Sequence, residues 1–354
     1  MNTLMKTLAF MSSVASCSAT TIVFNGCTNT NNNSSNNYLK FTAGSSQYNI
    51  STCLPKSGNT GGSVKFVIPA LVNGNQVSVV KKAFYWDTYS SSSYSALNVE
   101  LEFQPSIDKN TGETKYVTFP NDLSDMFAEC GDEIDYDTSN KISKRRIDLR
   151  GANTSSATSM ESMFYNCFRL VSVNLDNIDT SNVSSMKLMF RGCISLTSLG
   201  LSGIDTSNVT NMNGMFSRCS GLTTLDLRGF NTSKVTNMEG MFRYCYGLQA
   251  LNLCNFDTSA LSSTARMFAD CSDLAELRVS RTFVVPSSHT NMFSNAKYNM
   301  RIIGNYLFSF EETDDDLKPI ISARGGRRQS LHCVWDARSF NKFEKCGVRS
   351  AFRG

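Results

Sequence analysis

Side chains able to do chemistry are scarce in this sequence: two histidines, His289 and His332, twelve cysteines, and two crowded carboxylate runs. One run is Asp132, Glu133, Asp135 and Asp137; the other is Asp314, Asp315 and Asp316. Paired carboxylates can move protons or hold calcium, but a calcium loop needs ligands at fixed alternation with a glycine at its bend. Neither run has that pattern, and both read as solvated loops. Two histidines leave little for a proton shuttle or a histidine-ligated metal. No pair of C-x-x-C motifs exists to bind zinc. The chain is therefore expected to be non-catalytic, without cofactor or metal.

Two cysteines near the start could instead carry lipid. Lys6 precedes an uncharged stretch, Thr7 to Phe24, that reads as an export leader rather than a membrane span. Phe24-Asn25-Gly26-Cys27 and Val14-Ala15-Ser16-Cys17 both place a small residue before a cysteine and a large apolar one two places earlier. Cys27 is the expected lipidation site, because cleavage at Cys17 would leave Ile22-Val23-Phe24 in the mature chain. An ordinary cleaved secretory signal is the alternative. A cluster of aromatics, Tyr85, Trp86, Tyr89 and Tyr94, could stack on sugar rings or pack an insertion onto the rest of the chain. The 34 basic and 30 acidic residues give a net charge of +4, which offers no support for a nucleic-acid partner.

The elements that position these residues follow from a repeat. Met-Phe recurs at Met163, Met189, Met215, Met241 and Met267, each 26 residues after the last, and again at Met292. Within each unit the frame is M-F-x-x-C-x-x-L-x-x-L-x-L-x-x-F-x-T-S-x-V-x-x-M. Cys219, Leu222, Leu225, Leu227, Phe230, Val235 and Met238 fill one copy. Leu225-x-Leu227 has period two, which predicts a short strand with both leucines inward and Asp226 outward. Met212, Met215, Phe216 and Cys219 are spaced three, one and three apart, which predicts the inward face of a short helical turn after the start signals Thr210 and Asn211. Asp205-Thr206-Ser207-Asn208 is turn chemistry. The expected fold is an α/β repeat solenoid, one short parallel strand and one helical turn per coil, because a single coil cannot bury its apolar stripe alone.

The organisation expected from this is a leader over 1–26 and an Asn/Ser-rich tether over 27–37. Irregular repeats fill 38–125, the regular solenoid 126–300, and a cap with a basic tail 301–354. A hairpin is expected between Leu97–Phe103 and Lys115–Phe119, across Asn110-Thr111-Gly112. Cys130, Cys167, Cys193, Cys219, Cys245 and Cys271 share one register that Ala296 fills in the last unit, so they read as small buried thiols. Cys333 and Cys346 lie outside the repeats and are candidates for a disulfide. Cys254 has no evident role.

The string Asp205 to Met212, continuing into Met215-Phe216, Cys219 and the leucines, resembles the BspA-like leucine-rich-repeat surface proteins. Ile68-Pro69, Asn73-Gly74 and Ala83-Phe84 resemble the shorter repeat of the same group. The resemblance covers roughly 64–293 and implies a surface protein, often lipid-anchored, that binds host proteins or other cells. It transfers no functional residue, because the motif is a packing motif. The expected function is a lipid-anchored adhesin or host-protein-binding protein. The alternatives are a carbohydrate or cell-wall binding module and a secreted interaction protein, with membrane contact only through the anchor. Outward positions of the strand face, Asn174, Gly200, Asp226, Asn252 and Arg278, are the candidate ligand-binding residues. Ser172, Ser198, Thr224, Ala250 and Glu276 flank them.

Overall fold

A computed structural model describes residues 20–23, 39–43, 47–53, 62–72, 74–79, 97–129, 145–280, 282–297 and 300–304. The inward leucines and valines of the repeat build a parallel ladder. Its strands are Thr20–Val23, Gly62–Pro69, Leu97–Gln104, Arg145–Asp148, Leu170–Asn174 and Ser198–Gly200, each hydrogen-bonded to the next in chain order. After one interrupted coil the ladder resumes as Ala250–Leu253, Glu276–Val279 and Arg301–Gly304. The segment Leu225–Leu227, read from sequence as a strand, is the interruption. Leu227 is buried and Asp226 exposed as expected, but no strand forms there. The Asn255 side-chain amide instead donates to the carbonyls of Leu227 and Phe230, at 3.0 and 2.6 Å.

A second ladder runs along the amino-terminal coils through Gln47–Cys53, Asn75–Val79, Val117–Thr118 and Ala152–Asn153. Beyond it the same edge is held by buried threonines. Thr206 Oγ1 donates to Asn231 O at 2.8 Å and accepts from Asn231 N at 2.8 Å. Thr180 and Thr232 make the same double contact with Asp205 and Asp257. A hydroxyl can both donate and accept, so one buried side chain satisfies two backbone groups of the next coil. A third line of single bridges joins Asp122, Ser159, Ser185, Asn211, Asn237, Ser263 and Ser288.

The Met-Phe segment is not helical, and no helix occurs among the described residues. Met215, Ser217 and Cys219 donate to carbonyls three residues back, whereas Met212, Gly214, Phe216 and Arg218 donate to Asn237, Glu239, Met241 and Arg243 of the next coil. φ is positive at Gly214 and Arg218, and at the equivalent Gly240 and Tyr244. An α-helix keeps φ negative and closes its amides four residues back within one segment. The spacing of three, one and three belongs here to tandem turns, in which alternate amides are spent between coils.

These turns stack the repeated phenylalanines. Phe127, Phe164, Phe190, Phe216, Phe242, Phe268 and Phe293 lie with centroids 5.2–5.8 Å apart and ring planes within 2–11° of parallel. Methionines and the cysteine register complete one continuous core. The hairpin is smaller than the sequence suggests. Its arms are Ser106–Ile107 and Thr114–Lys115, while Leu97–Gln104 and Val117–Thr118 belong to the two ladders.

Candidate functional site

The outward row of the strand face assembles largely as its spacing requires. Asn174 is the lateral neighbour of Asp148 and of Gly200, and Asn252 is the neighbour of Arg278. Asp226 is exposed in the interrupted coil. The acceptors of this row are already engaged. Asn174 Oδ1 accepts from Asp176 N at 3.0 Å, Asp226 Oδ1 from Arg228 N at 3.1 Å and Asn252 Oδ1 from Cys254 N at 3.0 Å. Each closes the turn at the strand's end, a local Asx contact. Gly200 has no such oxygen, and the Asp176 carboxylate of the preceding coil takes the Ser202 amide instead at 2.8 Å. A side chain at Gly200 would meet Asn174 Oδ1 and Asp176 Oδ1 at 2.9 Å, so the glycine makes room for that substitution of partners.

The charges beside the row neutralise one another. Arg228 holds Asp226 through both carboxylate oxygens, Arg150 does the same to Asp148, and Arg278 pairs with Glu276 at 2.6 Å. Hydrogen bonding from Arg228 holds the Asp226 carboxyl below its usual range. Burial pushes the Asp148 carboxyl up, but the Arg150 contacts outweigh it and leave it lowered too. The row therefore presents short, self-satisfied polar groups, which fits a solvated structural face as well as a shallow docking face.

The cysteine register is a packing device. The thiols of Cys193, Cys219, Cys245 and Cys271 donate to the phenylalanine carbonyl of the preceding coil at 3.0–3.1 Å. Burial raises the thiols of Cys219 and Cys245 well above the ordinary value and that of Cys271 to about 12. Thiolate is the reactive form, so these sites are expected to resist alkylation in the folded protein. Half-buried Cys254, at the end of its strand, is expected to react before them. Peptide-resolved mass spectrometry after brief maleimide treatment checks this, and labelling of Cys219 ahead of Cys254 would contradict it.

Sequence reasoning missed a second surface, on the turn edge. Arg218 Cζ lies 5.2 Å from the centroid of the Tyr244 ring, and Arg243 Cζ lies 4.4 Å from it. Arg243 Nη2 donates to the Tyr244 hydroxyl at 2.6 Å. Tyr246 adjoins Tyr244, with centroids 6.0 Å apart and planes at 51°, and remains 48% exposed. Reading down each register column, rather than along the chain, would have found it.

Cys17, Cys27, the aromatic cluster Tyr85 to Tyr94, both carboxylate runs, His332, Cys333 and Cys346 lie outside the described residues. His289 is half-buried, with Nδ1 2.9 Å from Pro286 O.

The stacked coils and their repeated packing frame define a parallel-stranded, solenoid-like repeat protein without helices among the described residues. The family described as "Mycoplasma protein of unknown function, DUF285" matches residues 121–226 and again 197–306, together more than half of the chain, and the chain belongs to that family. No curated protein and no solved structure matches it.

Proposed function

We propose that this protein is a non-catalytic, lipid-anchored surface protein of the BspA-like leucine-rich-repeat type, and that it binds an extracellular protein or glycan. The observation that carries this reading is the array itself. Seven stacked phenylalanines, with methionines, leucines and thiols, occupy the interior of successive coils. What varies from coil to coil is the outer surface. A solenoid of this kind presents an extended face to a large partner.

Thr20–Val23 pairs in register with Val64–Val67. Cleavage before Cys27, the proposed anchor, removes that strand, whereas cleavage before Cys17 keeps it. Two acyl chains on one cysteine would hold the protein stably at a membrane. Intact mass of the protein from the native membrane fraction tests this. The expected mass is that of a chain beginning at Cys27 with acyl chains attached. A chain beginning at Cys17 overturns the choice of cysteine, and an unmodified chain overturns the anchor.

A further inference from the structure

We infer that the turn edge around Arg191, Arg218, Tyr244 and Tyr246 is a binding site for a linear anionic glycan, carboxylated or sulfated. The inference deepens the proposed binding function by assigning it a surface and a ligand class.

Three consecutive coils each place a guanidinium on this edge. Arg191 and Arg243 directly follow their stacked phenylalanines, and Arg218 stands one place further along. The coils are joined there by backbone contacts from Gly192 N to Ser217 O and from Arg218 N to Arg243 O, at 2.8 and 2.7 Å. Lys65, Lys115, Arg150, Lys187, Arg228, Arg266 and Arg278 form ion pairs with carboxylates, and Lys234 donates to Asn208 Oδ1 at 2.7 Å. Arg218 is exposed and its recorded side-chain contact is the Tyr244 ring; Arg191 is half-buried and has no ion pair among the described residues. Arg243 pairs with Asp270 at 3.8 Å.

A guanidinium presents a planar fork of donors that suits carboxylate and sulfate oxygens. The cation–π contact with Tyr244 engages the Arg218 guanidinium without consuming its hydrogen-bond donors. Tyr246, half-exposed beside it, offers an apolar face with a polar tip, which suits the mixed faces of a sugar ring. Ile194, 37% exposed, occupies the register of Tyr246 two coils earlier, with Ser220 between them. The flanking coils are mixed in charge: Glu161 and Arg169 lie on the coil before Arg191, and Arg266, Asp270 and Asp273 lie on the coil after Arg243. A nucleic acid needs a longer track of cations for its closely spaced phosphates, so a short stretch of acidic sugar fits the patch better.

The repeat supplies substitutions that its own fold already accepts. Asn166 and Asn295 occupy the Arg218 register with positive φ, so Arg218→Asn keeps the turn. Ser220 and Ser272 occupy the Tyr246 register, so Tyr246→Ser keeps the coil. The test measures binding of the exported chain to heparin and polygalacturonate oligosaccharides, with dextran and single-stranded DNA alongside and circular dichroism melts as the fold control. Binding to at least one anionic glycan is expected, weakened about tenfold by either substitution and unchanged by Arg228→Gln on the strand face. Failure to bind either glycan overturns the assignment. So does equal binding of dextran, tighter binding of DNA, or indifference to both substitutions. None of these outcomes bears on the anchor, which the mass measurement tests separately.

Discussion

Phe216→Ala is expected to destabilise the protein by about 3–5 kcal/mol, the cost of emptying a phenylalanine site in a close-packed core. The ring is fully buried and stacked on both sides, with centroids 5.7 Å from Phe190 and 5.8 Å from Phe242. In a solenoid each coil is stabilised by its two interfaces with its neighbours, so the cavity damages both at once. The collapse that softens such losses in globular cores is opposed here, because the Phe216 turn is tied to both neighbouring coils by backbone contacts, from Phe190 N to Met215 O and from Phe216 N to Met241 O, each at 2.9 Å. Phe293 stands at the end of the stack, with one recorded ring neighbour, Phe268 at 5.3 Å. Its alanine variant is expected to lose less. Urea unfolding of the two variants provides the comparison, and a Phe293→Ala loss equal to or larger than that of Phe216→Ala would refute the two-sided account.

Gly151→Ala is the second large effect, for the opposite reason. A methyl group there would sit 1.9 Å from the Phe103 carbonyl oxygen, 2.4 Å from its carbon and 2.8 Å from Gln104 N. All three are backbone atoms of a strand already committed on its other side, where Leu97–Gln104 pairs with Gly62–Pro69 and Ala70 N donates to Gln104 O at 2.9 Å. The strand cannot retreat without breaking that ladder. Gly151 O also accepts from Val117 N at 2.9 Å, so moving Gly151 loosens the second ladder instead. Overpacking typically costs about 1–3 kcal/mol, and a clash confined to backbone belongs at or beyond the top of that range. Gly229→Ala is the control, since nothing lies within 4 Å of its added methyl. Equal melting temperatures for the two variants would contradict the predicted clash.

Much of the fold was legible in the sequence because the repeat sets both period and facing. Leu175, Leu196, Leu227, Leu253 and the Met-Phe pairs are buried where their spacing puts them. The turns were misread as helical because spacing of three, one and three reports only which side chains share a face. A helix and a run of turns share that spacing and differ in where alternate amides go. That difference lies in the adjoining coil, beyond the reach of a local window. Leu225-x-Leu227 has the strand pattern without the strand, since a ladder also needs neighbours in register. The candidate ligand row was found as a row, but its Asx contacts, from Asn174 to Asp176 and from Asn252 to Cys254, run along the chain rather than toward a partner. Position on the outer face was readable there; availability was not. The Arg218–Tyr244 contact joins residues 26 apart and shows only when the units are aligned one beneath another.

The way alternate amides are spent between coils also bears on how such a chain can change length. From Ser159 to Ser263 each unit donates its alternate turn amides to carbonyls of the following unit and accepts the equivalent amides of the one before, in the same register. A duplicated or deleted block of 26 residues therefore recreates an existing junction rather than a new one. Gene recombination within the repeats can lengthen or shorten the exposed surface in whole steps, with no compensating mutation in the core.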